Sequence, residues 1–226
     1  MLIKSTAQIE ELEQRQQIES TLHDIKSMME RSSRFISLSG WSGVAAGVCA
    51  LVGAWFANRE IQLFLHENYP ANDLERGKYI FRHGSAALFN QLFLIAIIVL
   101  IAALISAFFF TFLRSKKTGT PLWGNTAKRL SINMAIPLIV GGLFIMQMLK
   151  LEYYVLIPPA CLIFYGLALV NASKYTLGEV RYLGYGQLIL GVINIWLPEY
   201  GLYFWAAGFG VLHIVYGLVM WYRYEK

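Results

Sequence analysis

Only two of the 226 residues are cysteine, Cys49 and Cys161. Each falls inside a long apolar run, so no disulfide framework is expected and both read as small buried hydrophobes. Charge is scarce as well, at 15% of residues, and no Asp, Glu, Lys or Arg lies deep within any apolar run. That absence argues against a pump coupled to protons or sodium through an intramembrane carboxylate. HExxH, GxSxG, P-loop and CxxC patterns are missing too, which removes the enzyme classes that carry a local signature. The sequence therefore points to no catalytic residue, no cofactor and no metal site, and to a non-enzymatic protein. Residues 1–34 are polar, rich in Glu and Gln, and hold no apolar core with a small-residue cleavage site, so no cleavable signal peptide is expected.

What the chain does have is apolar length. It is 57% hydrophobic with a mean hydropathy of +0.49, values unsuited to a soluble domain of this size. A membrane-crossing helix needs about 20 apolar residues, and runs of that kind cover approximately 36–57, 86–113, 130–149, 154–173, 180–197 and 202–222. Pro158 and Pro159 sit at the start of the fourth, where a first helical turn tolerates the missing amide protons. The expected fold is all-α: a polytopic membrane bundle of six transmembrane helices over residues 35–226, with an external loop at about 58–85. Five spans plus a re-entrant segment is the alternative.

Basic residues fix the expected orientation. With the N-terminus inside, 14 of the 19 Lys and Arg residues fall on the cytoplasmic side, as membrane insertion favours. Both termini are then cytoplasmic in a bacterial inner membrane, and the net charge of +5 needs no nucleic-acid partner.

Residues 1–34 read as a cytoplasmic amphipathic helix. Ser5 and Gln8 form a capping box, Glu10, Glu11 and Glu13 sit early, and Lys26, Arg31 and Arg34 sit late, which complements the helix dipole. Ile18, Leu22, Ile25, Met29, Ser32 and Ile36 recur at spacings of four and three, a short coiled-coil-like seam. Two readings stand side by side. Residues 5–34 dock a protein partner or a second copy, or the helix lies on the inner leaflet or on the protein's own loops.

Within the apolar runs, the last two are joined by Pro198, Glu199, Tyr200 and Gly201. Folded as an antiparallel hairpin, they set Gly184 level with Gly217 and Gly191 with Gly210, a seam of close backbone approach. The same register sets Gln187 opposite His213 near mid-membrane, as an interhelical hydrogen bond or as a proton-sensitive or ligand-contacting site. The first run carries Gly40, Gly43, Ala46, Gly47 and Ala50, with Gly43 and Gly47 as a GxxxG, for which a neighbouring helix of the same chain or a second copy is a partner. Pro137 removes the donor that the Asn133 carbonyl would use, so a kink is expected there. Asn90, Gln91, Gln147 and Asn194 lie near the outer boundary, as a polar vestibule or as interface residues. His66, Glu67, Asp73, Glu75 and His83 share the outside loop, at spacings that match no standard metal-ligand pattern.

The hairpin GYGQLILGVINIWLPEYGLYFWAAGFGVLHIVYGL, residues 184–218, resembles the glycine-spaced, proline-turned hairpins of the bacterial acid-resistance membrane protein family. That resemblance covers about a sixth of the chain and implies a six-span protein built from such hairpins. Gly40, Trp41 and Gly47 are spaced like Gly184, Tyr185 and Gly191, which hints at an internal repeat, while the long loop and the tail depart from that family. More broadly the chain resembles small six-span bacterial inner-membrane proteins, which implies no activity. Three function classes remain: an interaction, sensing or regulatory protein that uses its tail and has membrane lipid as its other partner, a small transporter or channel, and a membrane-embedded enzyme acting on lipid. Reporter fusions test the topology: one placed after Lys226 is expected on the cytoplasmic side and one near Asn72 outside, and the reverse result overturns the assignment of the tail.

Overall fold

The computed structural model describes residues 39–68, 85–119 and 123–226, together with Arg15, residues 17–19, Thr21 and Leu22. Within these the protein is all-helical, with no strand. Helix α1 spans Gly40–Asn68, α2 Ala86–Thr118, α3 Asn125–Lys150, α4 Ile157–Ala172 and α5 Val180–Trp196. Helix α6 is the run Pro198–Tyr224, in which a 3-10 turn and an α segment lead into a π-helical stretch, Ala206–Leu212, before regular helix resumes at His213.

Five stretches, α1, α2, α3, α4 together with the 3-10 turn before it (Tyr154–Ala172), and α6, are long and apolar enough to cross a membrane, which fits a helical membrane protein. Helix α2 begins where the apolar run does because the Ser85 hydroxyl accepts the Leu88 amide proton at 3.2 Å, an N-cap bond. It ends at Gly119, whose φ of 66° is a left-handed C-cap that favours glycine. Pro158 and Pro159 fall in the first turn of α4, behind a 3-10 turn at Tyr154–Leu156.

The expected loop at 58–85 is corrected at its start: residues 58–68 continue α1. Ile61 and Leu65 pack there against Leu88 and Phe89 of α2, and the Phe89 ring stacks on Tyr154 at 3.5 Å. Arg59, Glu60 and Glu67 made this segment look like loop, while burial of the two aliphatics between them holds it helical. The rest of the loop, with Asp73, Glu75 and His83, lies outside the described residues. So do Ser5, Gln8, Ile25, Met29, Ser32 and Ile36 of the tail. The described tail residues are helical, with the Thr21 hydroxyl donating to the Gln17 carbonyl one turn back.

Helix pairing also departs from the expected hairpin. The broad antiparallel contacts are α1 with α2, α3 with α4, α4 with α5, and α1 with α6, whereas α5 and α6 meet less extensively, mainly along Pro198–Leu212. Glycines explain the pairing. A Cβ on Gly40 would lie 2.5 Å from the Gly217 carbonyl, one on Gly47 2.6 Å from the Gly210 carbonyl, and one on Gly43 3.2 Å from the Gly217 Cα. The first-run GxxxG is thus spent inside the chain, on α6. Gly184 instead meets Gly166 and Val170 of α4, and Gly191 meets Leu162 and Ile163. The expected close approach of Gly184 to Gly217 and of Gly191 to Gly210 is therefore not formed: the two glycine pairs face different helices.

Substituting Gly217 by Ala should cost about 1–3 kcal/mol by overpacking this seam. Gly142→Ala, where an added Cβ meets nothing within 4 Å, should be neutral or stabilising. Denaturant unfolding of both variants in detergent checks the contrast, and equal effects would mean the seam is not tight.

Candidate functional site

The inward polar groups gather where α4, α5 and α6 meet. Gln187 of α5 is 0% exposed, and its Nε2 donates to the Gly208 carbonyl at 2.8 Å. His213 Nδ1 reaches the same carbonyl at 3.0 Å. A carbonyl only accepts, so Nδ1 carries a proton, and in the neutral ring Nε2 is an acceptor. Tyr165 of α4 supplies the donor: its hydroxyl lies 2.9 Å from His213 Nε2, with the two rings 5.4 Å apart.

Gln187 and His213 thus do come together, though not through the direct bond the register suggests. Both converge on one backbone oxygen. Gly208 belongs to the π stretch, a geometry that widens the helix turn, and the His213 amide bonds the Gly210 carbonyl instead. Glycine at 208 leaves room for two side chains, since a Cβ there would lie 2.4 Å from Leu162 Cδ2 and 2.5 Å from Gln187 Oε1 and would force them to shift. That Oε1, the Tyr216 hydroxyl and Asn194 Oδ1 are buried without a hydrogen-bond partner among the described residues.

The Asn133 carbonyl, expected to lose its helical donor to Pro137, finds one on another helix. Helix α3 runs on through Pro137, and the Asn133 carbonyl, deprived of its helical donor, accepts from Asn171 Nδ2 of α4 at 2.9 Å. Asn133's own side chain donates to the Arg129 carbonyl at 2.8 Å.

The four outer residues do not share an environment. Asn90, Gln91 and Gln147 sit on exposed helix faces. Asn194 is fully buried and donates to the Leu197 carbonyl at 3.1 Å, closing the end of α5. His66 and Glu67 lie near the end of α1, and among the described residues no group of three metal-ligating side chains forms.

A second polar assembly was not foreseen. Glu225, just past α6, accepts from the Gly40 amide at 2.5 Å, from the Ser39 hydroxyl at 3.4 Å and from Arg114 of α2 at 2.5 Å. The Arg114 and Glu225 side chains are only 12% and 16% exposed. One carboxylate therefore joins the start of α1, the end of α2 and the end of α6. Nearby, Glu179 at the start of α5 accepts from Arg223 at 2.9 Å and from the Tyr224 hydroxyl at 2.7 Å.

Chemically, the mid-bundle group is a carboxamide and an imidazole held on one backbone carbonyl, with a phenol bound to the imidazole. The open grooves of the described surface lie elsewhere, on the outer faces of α2 and α6. No family model, curated protein or solved structure matches this chain.

Gln187→Leu and His213→Leu should each lower stability by about 0.6–2 kcal/mol, as lost interhelical bonds do, read from unfolding in a detergent titration. An unchanged unfolding curve with a lost cellular phenotype would instead mark His213 as a functional contact.

Proposed function

We propose that this is a six-span inner-membrane protein that works by interaction and not by catalysis, in a sensing or regulatory role exerted through its N-terminal helix. One observation carries the reading: Glu225 and Arg114 hold Ser39 and Gly40, the point at which the tail joins the bundle. A partner bound to the tail would act on a fixed junction of three helices, not on a slack tether. Supporting it, Ile18 and Leu22, four residues apart on one side of the tail helix, are both 59% exposed, as a docking seam requires. Meanwhile Gln187, His213 and Asn171 donate their side-chain hydrogens to backbone carbonyls, a packing role.

The sixth span in this proposal is α5. Its 17 residues rise about 26 Å, slightly under the ~30 Å hydrocarbon thickness, a shortfall eased by its packing along α4. Both termini are cytoplasmic in this reading, because the ends of α2 and α6 and the starts of α3 and α5 carry Arg114, Lys116, Lys117, Lys128, Arg129, Arg181, Arg223 and Lys226. The resemblance of the 184–218 hairpin to acid-resistance membrane proteins is compatible with this reading and assigns no activity.

Deleting residues 1–34 tests it. The truncated protein should insert and fold normally while losing a co-purifying protein or self-association, seen by native mass spectrometry of protein extracted from its own membrane. An oligomeric state and partner content unchanged by the deletion would refute the tail reading, and flux retained by the truncated protein would favour a transporter.

A further inference from the structure

Two open grooves on the described surface share one construction. On α2, Leu104, Ile105, Phe108, Phe109 and Phe112 line a groove of about 380 Å³, and Lys116 Nζ stands 4.7 Å from the Phe112 ring centre. On α6, Leu218, Val219, Tyr222 and Arg223 line one of about 640 Å³, and Lys226 Nζ stands 5.1 Å from the Tyr222 ring centre. Each carries a ladder of an apolar residue, an aromatic residue and a lysine spaced four apart, Phe108–Phe112–Lys116 and Leu218–Tyr222–Lys226; the first three share one face of α2, while Lys226, just past the end of α6, reaches the Tyr222 ring. The two ladders end at the same face of the bundle, because Arg114 and Glu225 tie the ends of α2 and α6 together.

We infer that this face holds anionic glycerophospholipid, acyl chains along the two apolar ladders and phosphate at Lys116 and at Lys226 with Arg223. Charge selects this occupant. Between Glu75 and Glu152 the chain has no acidic residue, so Arg114, Lys116, Lys117, Lys128 and Arg129 have no carboxylate of α2 or α3 beside them. Glu225 is taken up by Arg114 and the start of α1. On α6, Glu179 holds Arg223 Nη1 at 2.9 Å, yet the Arg223 side chain stays 64% exposed. The guanidinium is thereby positioned with further donors facing outward, as a phosphate clamp requires. Lysines resting on aromatic rings keep the ammonium at the groove rim, where basic residues near a helix end recruit anionic headgroups.

The test is native mass spectrometry of the full-length protein from micelles containing equal phosphatidylglycerol and phosphatidylethanolamine. The wild type should retain the anionic lipid in preference. Lys116→Gln and Lys226→Gln should each lower that retention about fivefold, with the double variant lower still and phosphatidylethanolamine unchanged. Both lysines are exposed, and circular dichroism melting should show no loss of fold. Lys150→Gln, at the opposite end of α3 from Lys128, should change nothing. Equal retention of both lipids by the wild type overturns the proposal, as does undiminished retention by the double variant, which would leave the lysines as snorkelling side chains only. A Lys150→Gln loss equal to that of Lys116→Gln would reduce the effect to overall charge and also overturn it. These outcomes do not depend on the tail, so they stand apart from the deletion experiment.

Discussion

Hydrocarbon offers a backbone carbonyl or amide no hydrogen-bond partner, and at three points where a helix of this protein departs from regular bonding a side chain answers. Pro137 strips the Asn133 carbonyl of its donor, and Asn171 supplies one from α4. The π stretch presents the Gly208 carbonyl to Gln187 of α5 and to His213 of its own helix. The first amide of α1, at Gly40, has no partner within its own helix and finds the Glu225 carboxylate. In each case a local irregularity becomes a connection, because satisfying the loose backbone group brings in polar atoms that fix packing in three dimensions. Most of these atoms come from another helix.

Glycine seams supply the other half of the architecture. They bring α1 against α6 and α4 against α5 closely enough for backbone atoms to touch, a packing mode that lipid-embedded helices favour because dispersion, not water exclusion, drives their association. The polar ties then run between the two pairs. Gln187 joins α5 to α6, and Tyr165 joins α4 to α6 through His213. Helix α6 is the shared member, and it is also the helix with the π stretch. Helices α2 and α3 stand outside this group, with few buried residues between them.

Much of this was legible from the order of residues, and the failures share one cause. Hydropathy located the helices, the small-residue face of α1 was real, and the orphaned Asn133 carbonyl followed from Pro137 alone. Which helices would be neighbours did not follow. Assuming that the last two runs pair as a hairpin misdirected all four of their glycines, since nothing in a single sequence distinguishes a face meant for α4 from one meant for α6. The same gap hid Asn171, Tyr165 and Glu225: each is unremarkable where it stands, and its role comes from a helix distant in sequence. Residues 58–68 failed for a different reason, because three charged residues masked two aliphatics that are buried against α2.

The contact between Gly40 and Glu225 closes the chain into a ring at the level of the membrane boundary. During synthesis, α1 is the first of these six helices to be made and the last to meet its glycine partner, since α6 is made after all the others. Until then the small-residue face of α1 is provisional, open to lipid or to whatever insertion machinery attends it. A chain lacking α6 therefore holds neither the α1–α6 glycine seam nor the carboxylate junction, and both form only once the last helix is in place.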